Sequence, residues 1–218
     1  MRPPVWIAPR PLLLASTSRT RRQLLDAAGL APEFVAPEVD ERAIEAESGP
    51  DAAPPLDLPL AHPIDHPLAL ARRLAREKAL AVSRRHPDRI VLGADQVLAC
   101  DGVLFHKPAG RADALDQLLR LSGRTHELHA AGLLARGGSA LECFDATARL
   151  TLRPLSRRDL ERYLDRADPA FLSGTGVYQV EGLGIHLFER IEGDHATILG
   201  LPLIPLLAAL RRLGCLAS

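Results

Sequence analysis

Apolar runs of strand length alternate along this chain with segments whose apolar residues recur at helical spacing. The stretch LLLASTSRTRRQLLDAAGL holds both: Leu12 to Ala15 read as a strand, and Leu24, Leu25 and Ala28 recur at helical spacing until Gly29 stops the helix. Ser16, Thr17 and Ser18 fill the junction. EFVAPEVDE predicts a short strand leading to an acidic turn at Asp40 and Glu41. From Leu68 to His86 an apolar stripe runs through Leu70, Leu74, Leu80 and Val82 with cations opposite, the pattern of an amphipathic helix.

RIVLGADQVLACDGVLFHKP follows as an apolar strand with an acid, Asp95, at its end, then a second short strand and a turn at Asp101 and Gly102. GRADALDQLLRLSG predicts a helix stopped by Gly123. THELHAAGLLA and LECFDATARLTLRPL read as two strands joined in a hairpin at Gly137 and Gly138. Ser156 caps a further helix with Glu161 in its first turns, and GLPLIPLLAALRRLG closes the chain as an apolar helix. Alternating elements with one antiparallel hairpin predict an α/β chain with a mixed sheet and flanking helices, rather than a regular doubly wound one. The proline-rich segment at 48–66 interrupts this order and is expected to be a mobile insertion.

Composition narrows the function classes. With 218 residues, 47% of them hydrophobic, the chain can bury a substantial core in one large domain or in two lobes. Lys plus Arg equals Asp plus Glu at 27 each, so no net field recruits nucleic acid or an acidic membrane surface. Any anion site must be local. Cys100, Cys143 and Cys215 are odd in number and form no CxxC pattern, which suits a reduced, cytoplasmic setting. Prolines at 3, 4, 9 and 11 and the charge of Arg10 break the apolar run that a signal peptide needs, and no stretch is apolar enough to span a membrane.

The turn after the first strand is a candidate anion site. The first N–H groups of a helix lack partners and carry partial positive charge, a combination that binds phosphate. Ser16 and Ser18 add donors, and Arg21 offers a planar fork. Alternatively, Ser18 is only a helix cap and the arginines form a solvated face. Asp95 closes an almost continuously apolar strand, so its carboxylate must be paired, protonated or bound to metal. Lys107, before Pro108, is held extended and can be aimed by its loop. Lys78 either faces inward beside Leu74 or is solvated on the helix surface; only a shared site would favour the first.

Other patterns lead nowhere. His126 and His129 are an odd number apart in a strand, so they point to opposite faces and share no metal. His62 and His66 flank Pro63 in a loop, weak evidence for a metal. The GTG at 174–176 and GLG at 182–184 lack the lysine of a P-loop and read as turns of close backbone approach. No GxSxG motif is present.

In this order the motifs resemble those of the Maf family of nucleoside triphosphate pyrophosphatases. The resemblance rests on LLLASTSRTRRQLLDAAGL, EVDE, RLAREKA, VLGADQVLACDGVLFHKP, LSGRTHELHAA and YQVEGLGIHLFERIEGDHATILGLPL, and spans Leu12 to Leu213. It implies a single domain over 1–218 with a mixed α/β fold like that of inosine triphosphate pyrophosphatases, two lobes around a central cleft, and frequent dimerisation. It also implies hydrolysis of a nucleoside triphosphate to the monophosphate and pyrophosphate. By motif, Asp95 is the catalytic aspartate, and Ser16, Ser18, Arg21, Lys78 and Lys107 bind substrate. The family's magnesium or manganese ion would be held by Asp95 and by Glu41 of the Asp40–Glu41 element.

The proline that commonly follows the turn serine in the family is missing after Ser18, and two positions depart from the branch that cleaves dTTP and UTP: Gln96 replaces a threonine and Glu181 a glutamine. Gln96 and Glu181 look like the branch that cleaves 7-methyl-GTP. A carboxylate accepts from the N1–H and exocyclic amine of guanine together, and its charge favours a methylated, cationic base. Thr20 stands where that branch often has tryptophan. A non-catalytic nucleotide-binding regulator of cell division, a dTTP- or UTP-type pyrophosphatase, and a phosphohydrolase removing only the terminal phosphate are the competing readings.

Overall fold

A computed structural model describes residues 5–47, 66–169 and 174–217; of the insertion expected at 48–66, residues 48–65 lie outside them and His66 instead begins a helix. Seven strands are formed by the described residues: β1 (Leu13–Ala15), β2 (Glu33–Val35), β3 (Val91–Cys100), β4 (Val103–Phe105), β5 (Thr125–Arg136), β6 (Ser139–Leu152) and β7 (Phe188–Glu192). Their order is β2-β1-β3-β5-β6-β7, with β4 on β3. β1 pairs parallel with β2 and β3, whereas β3–β4 and β6–β7 are antiparallel, so the sheet is mixed as the pattern predicts. The helices are α1 (Arg19–Ala27), α2 (Glu41–Ala46), α3 (His66–Arg85), α4 (Arg111–Leu121), α5 (Arg157–Arg166), α6 (His195–Ile198) and α7 (Leu203–Arg212). Among the described residues no helix is long and apolar enough to cross a membrane.

The chain divides into two compact units, one built from residues 1–96, 129–146 and 195–218 and the other from 97–128 and 147–194. In the first, strand alternation sorts side chains to two faces. Leu12 and Leu14 of the β1 stretch, with Leu92 and Ala94 of β3, meet Leu25, Leu206 and Leu210 in one buried cluster. Leu13, Ala15 and Val91 turn the other way, against Val82 of α3. Gly93 shares that second face, where an added Cβ would run into Ala75 O and lie 2.5 Å from Ala79 N. Gly93→Ala therefore must push α3 off the sheet. It is expected to destabilise the protein by about 3 kcal/mol, read as a lower urea midpoint; an unmoved midpoint would mean that the helix yields freely.

Local signals account for the turns. Gly137 and Gly138, at φ +57° and +80°, make the tight loop between β5 and β6, which needs the left-handed region at both positions. Ser156 and Asp159 form a capping box that starts α5, so the acid that serves this helix is Asp159 rather than Glu161.

In the second unit Tyr163 Oη donates to Val177 O at 3.1 Å. His126 is fully buried, its Nε2 2.6 Å from Tyr178 Oη, and Tyr178 meets Phe188 edge-on. Burial pulls the His126 pKa down to about 4, so the ring is neutral near pH 7. The Gly174–Gly176 segment is a turn, whereas Gly182 caps a short 3-10 helix, Leu183–Leu187, in which backbone approaches closely: a Cβ on Gly184 would lie 2.6 Å from Gln179 O and 2.7 Å from Gln179 N.

The expectation for the Asp95 strand is corrected. Asp95 does not end a strand, because β3 runs on without a break to Cys100. What ends there is the parallel pairing: β1 follows β3 only to Ala15 beside Gly93, and Asp95 lies two residues beyond. A single strand thus leaves its parallel partner before it reaches the acid. The acidic turn at Asp40 and Glu41 is likewise the start of a helix, α2, with Asp40 as its cap.

Candidate active site

Strand parity places the first carboxylate. Val91, Gly93 and Asp95 face α3, and Lys78 lies on α3 one position before Ala79, whose backbone touches Gly93. Lys78 Nζ reaches Asp95 Oδ2 at 2.7 Å and Glu41 Oε1 at 2.8 Å. Lys78 is 5% exposed and Asp95 8%, so the lysine faces inward and the alternative of a solvated helix surface is excluded. Glu41 is exposed at the start of α2 and bends inward to the same ammonium.

The turn after β1 is the second component. Ser18 caps α1 by accepting from Arg21 N at 3.3 Å. Ser16 is buried, and its Oγ accepts from Ser18 N at 3.1 Å and from Arg21 Nη1 at 3.4 Å. Both hydroxyls are used as acceptors here and each retains a proton to donate. The cap and the anion-site readings of this turn are therefore compatible. Thr20 is half-buried in the first turn of the same helix.

Arg21 joins the two components. Its Nη2 lies 3.8 Å from Asp95 Oδ1, and its Nε donates to the carbonyl of Gly200 at 2.8 Å. Burial pulls its pKa below the ordinary value, with the Asp95 and Glu41 carboxylates opposing that shift. A guanidinium stays cationic throughout. Gln96 follows Asp95 on the opposite face of β3. Its N–H donates to Asp95 Oδ1 at 2.7 Å, and its Nε2 donates to Thr197 O at 2.8 Å and Ile198 O at 3.1 Å.

The structure thus gathers Ser16, Ser18, Arg21, Glu41, Lys78, Asp95 and Gln96 in the first unit. Lys107 is exposed after β4 and Glu181 is exposed in the turn before Gly182, both in the second unit. The backbone carbonyls of Thr197, Ile198 and Gly200 escape sequence reading because a carbonyl has no side-chain signature.

Chemically, two cations and two carboxylates meet beside a helix N-terminus. Each Asp95 oxygen keeps a second lone pair beyond the bond it accepts, so the carboxylate can still accept a hydrogen bond from a water. Among the described residues no group of three or more His, Cys, Asp or Glu is placed to hold a metal. Asp95 and Glu41 nevertheless converge on one point, now taken by the Lys78 ammonium. One or two carboxylates, with substrate phosphates and water completing the shell, is the donor set that magnesium favours. Such an ion would have to displace the Lys78 ammonium from between Asp95 and Glu41.

Known proteins are similar to this chain over almost its whole length. The Maf family, described as "Maf-like protein", matches residues 11–213. A Nitrobacter hamburgensis protein named "Nucleoside triphosphate pyrophosphatase" is 48% identical over 213 residues, covering 98% of each chain. Its Nitrobacter winogradskyi namesake is 51% identical over 207 residues, covering 95% of this chain and 96% of that one. A Rhizobium johnstonii protein named "7-methyl-GTP pyrophosphatase" is 46% identical over 205 residues, covering 94% of this chain and 97% of its own.

Proposed function

The chain belongs to the Maf family, and from that premise we propose that it hydrolyses a nucleoside triphosphate between the α- and β-phosphates, with a 7-methyl-GTP-like nucleotide as substrate. The observation that carries the reading is the Asp95 carboxylate, buried between Arg21 and Lys78 beside the Ser16–Arg21 turn. A buried acid flanked by cations at a helix N-terminus is suited to an anionic substrate and to water activation.

In this mechanism the phosphates bind the α1 N-terminus, the Ser16 and Ser18 hydroxyls and the Arg21 fork. Lys78 holds Asp95 in one orientation and offsets phosphate charge. Asp95 orients a water and accepts its proton as the oxygen bonds to the α-phosphorus. The bridging P–O bond breaks on the opposite side, and pyrophosphate leaves with the electron pair. A divalent ion held by Asp95 and Glu41 would neutralise phosphate charge and lower the pKa of bound water. Positioning and electrostatics supply most of the acceleration, since phosphoryl transfer asks little covalent help of the protein. The roles of Lys107 in phosphate binding and Glu181 in base reading rest on the family motif.

Two observations favour the 7-methyl-GTP class over dTTP or UTP. The Rhizobium johnstonii relative carries that name. Gln96 has both amide N–H groups occupied by backbone carbonyls, so toward a nucleotide it can act only as an acceptor. Glu181 is also acceptor-only when ionised, and guanine offers adjacent donors.

Profiling pyrophosphate release across GTP, 7-methyl-GTP, UTP and dTTP, with the monophosphate identified as product, tests the reaction. Release of only terminal phosphate, or ligand-induced thermal stabilisation without product, would replace it with one of the competing readings. Glu181→Gln is expected to lower kcat/KM for 7-methyl-GTP relative to UTP by about 10-fold, the value of one hydrogen bond to a charged acceptor. An unchanged ratio would remove Glu181 from base recognition.

A further inference from the structure

The end of α6 and the turn that follows it touch two residues of the site. We infer that the backbone carbonyls of Thr197, Ile198 and Gly200 form a positioning device that sets Arg21 and Gln96 around Asp95. Gln96 then governs turnover through this turn, beyond any contact with the base. The inference rests on the proposed pyrophosphatase reaction for its kinetic meaning, though its geometric part does not.

The last carbonyls of a helix have no partner within it and need donors. At the end of α6 Thr197 O takes one donor from the turn, Gly200 N, and the further donors come from the site. Gln96 Nε2 supplies Thr197 O and Ile198 O, and Arg21 Nε supplies Gly200 O at 2.8 Å. The turn itself is fixed. Leu199 N donates to His195 O at 3.0 Å, Gly200 N to Thr197 O at 3.0 Å, and Leu201 N to Ala196 O at 2.9 Å. Thr197 and Leu201 are fully buried, and Leu201 sits in the core with Leu25 and Leu206.

Gly200 has φ +93°, a conformation that side chains rarely adopt, and it aims its carbonyl at Arg21. A Cβ there would lie 3.5 Å from both Arg21 Nη2 and Gln96 Oε1, so both side chains lie against the same glycine. With Nε committed to Gly200, the guanidinium plane is set and its two Nη groups are directed at Ser16 and Asp95. Gln96 also donates its own N–H to Asp95, so one residue holds the acid by its backbone and the turn by its side chain.

The test is Gln96→Glu, which keeps the shape but sets a carboxylate against two carbonyl oxygens. kcat is expected to fall on the order of 10²-fold, the scale of a small misplacement of catalytic groups, and by a similar factor for GTP, 7-methyl-GTP and UTP, with KM little changed. In an Arg21→Lys background the same substitution should cost only a few-fold, because the residue through which it acts is already altered. Independently of activity, the NMR signal of Arg21 Nε–H should shift on Gln96→Glu, reporting the broken register with Gly200. If the Glu variant fails to fold, Gln96→Met, which lacks donors and charge, gives the same fall in kcat and the same Arg21 shift, while its loss of the amide oxygen adds a base-dependent change in KM.

A loss confined to one base, a rise in KM at constant kcat, strictly additive losses with Arg21→Lys, or an unmoved Arg21 signal would each overturn the inference. A wild-type protein that releases no pyrophosphate from any nucleotide would instead overturn the proposed reaction, leaving the NMR test of the turn intact.

Discussion

Asp95→Asn is expected to lower pyrophosphate release on the order of 10²-fold or more while the protein remains folded. The substitution keeps the side chain's shape and one carbonyl oxygen, so the bond from Gln96 N survives. A carboxamide has no basic oxygen to take a proton from water and no charge for a metal. Both proposed roles of Asp95 are therefore lost together. Lys78 keeps Glu41 as a counter-ion at 2.8 Å, which limits the damage to folding. A coupled assay of pyrophosphate release, with circular dichroism on the same sample, makes the measurement. Full activity would remove Asp95 from the mechanism, and with it the Arg21–Asp95–Lys78 arrangement as the catalytic centre.

Lys78→Met should have the largest effect on stability. Methionine fills similar volume, so packing is little disturbed, but Asp95 loses the ammonium at 2.7 Å and retains the Gln96 N–H and, as its one cation, Arg21 at 3.8 Å. Breaking a buried pair by removing one partner costs about 3–5 kcal/mol, a large share of a typical folding free energy. Adding Asp95→Asn in the same molecule removes the stranded charge and is expected to restore most of the stability. It will not restore turnover. Urea unfolding of the two single variants and the double variant reads this directly. Simple addition of the two losses would show that the ion pair is solvated and not a buried unit.

These expectations depend on residues of unequal legibility. The Ser16–Arg21 turn was readable because strand, cap and helix signals lie side by side in sequence, and Ser18 caps α1 as its residue type predicts. Lys78 was ambiguous: a lysine on an amphipathic helix is ordinarily solvated, and only the acid across from it on β3 makes burial tolerable. Sequence alone places Asp95 at the end of its strand, because an acid after an apolar run resembles a terminus. β3 continues past it in an equally apolar stretch, Val97 to Cys100.

From the sequence alone came the α/β order with its hairpin, the capped turn, and the family motifs, since periodicity, caps and glycine turns are carried by near neighbours. Folding decided the rest: residues 21, 41, 78 and 95, scattered along the chain, meet because two-residue alternation in β3 aims Asp95 at α3 while α2 brings Glu41 to the same ammonium. The grip of Gly200 on Arg21 belongs wholly to the tertiary structure. Every residue carries a carbonyl, and only packing determines which one a distant side chain will find.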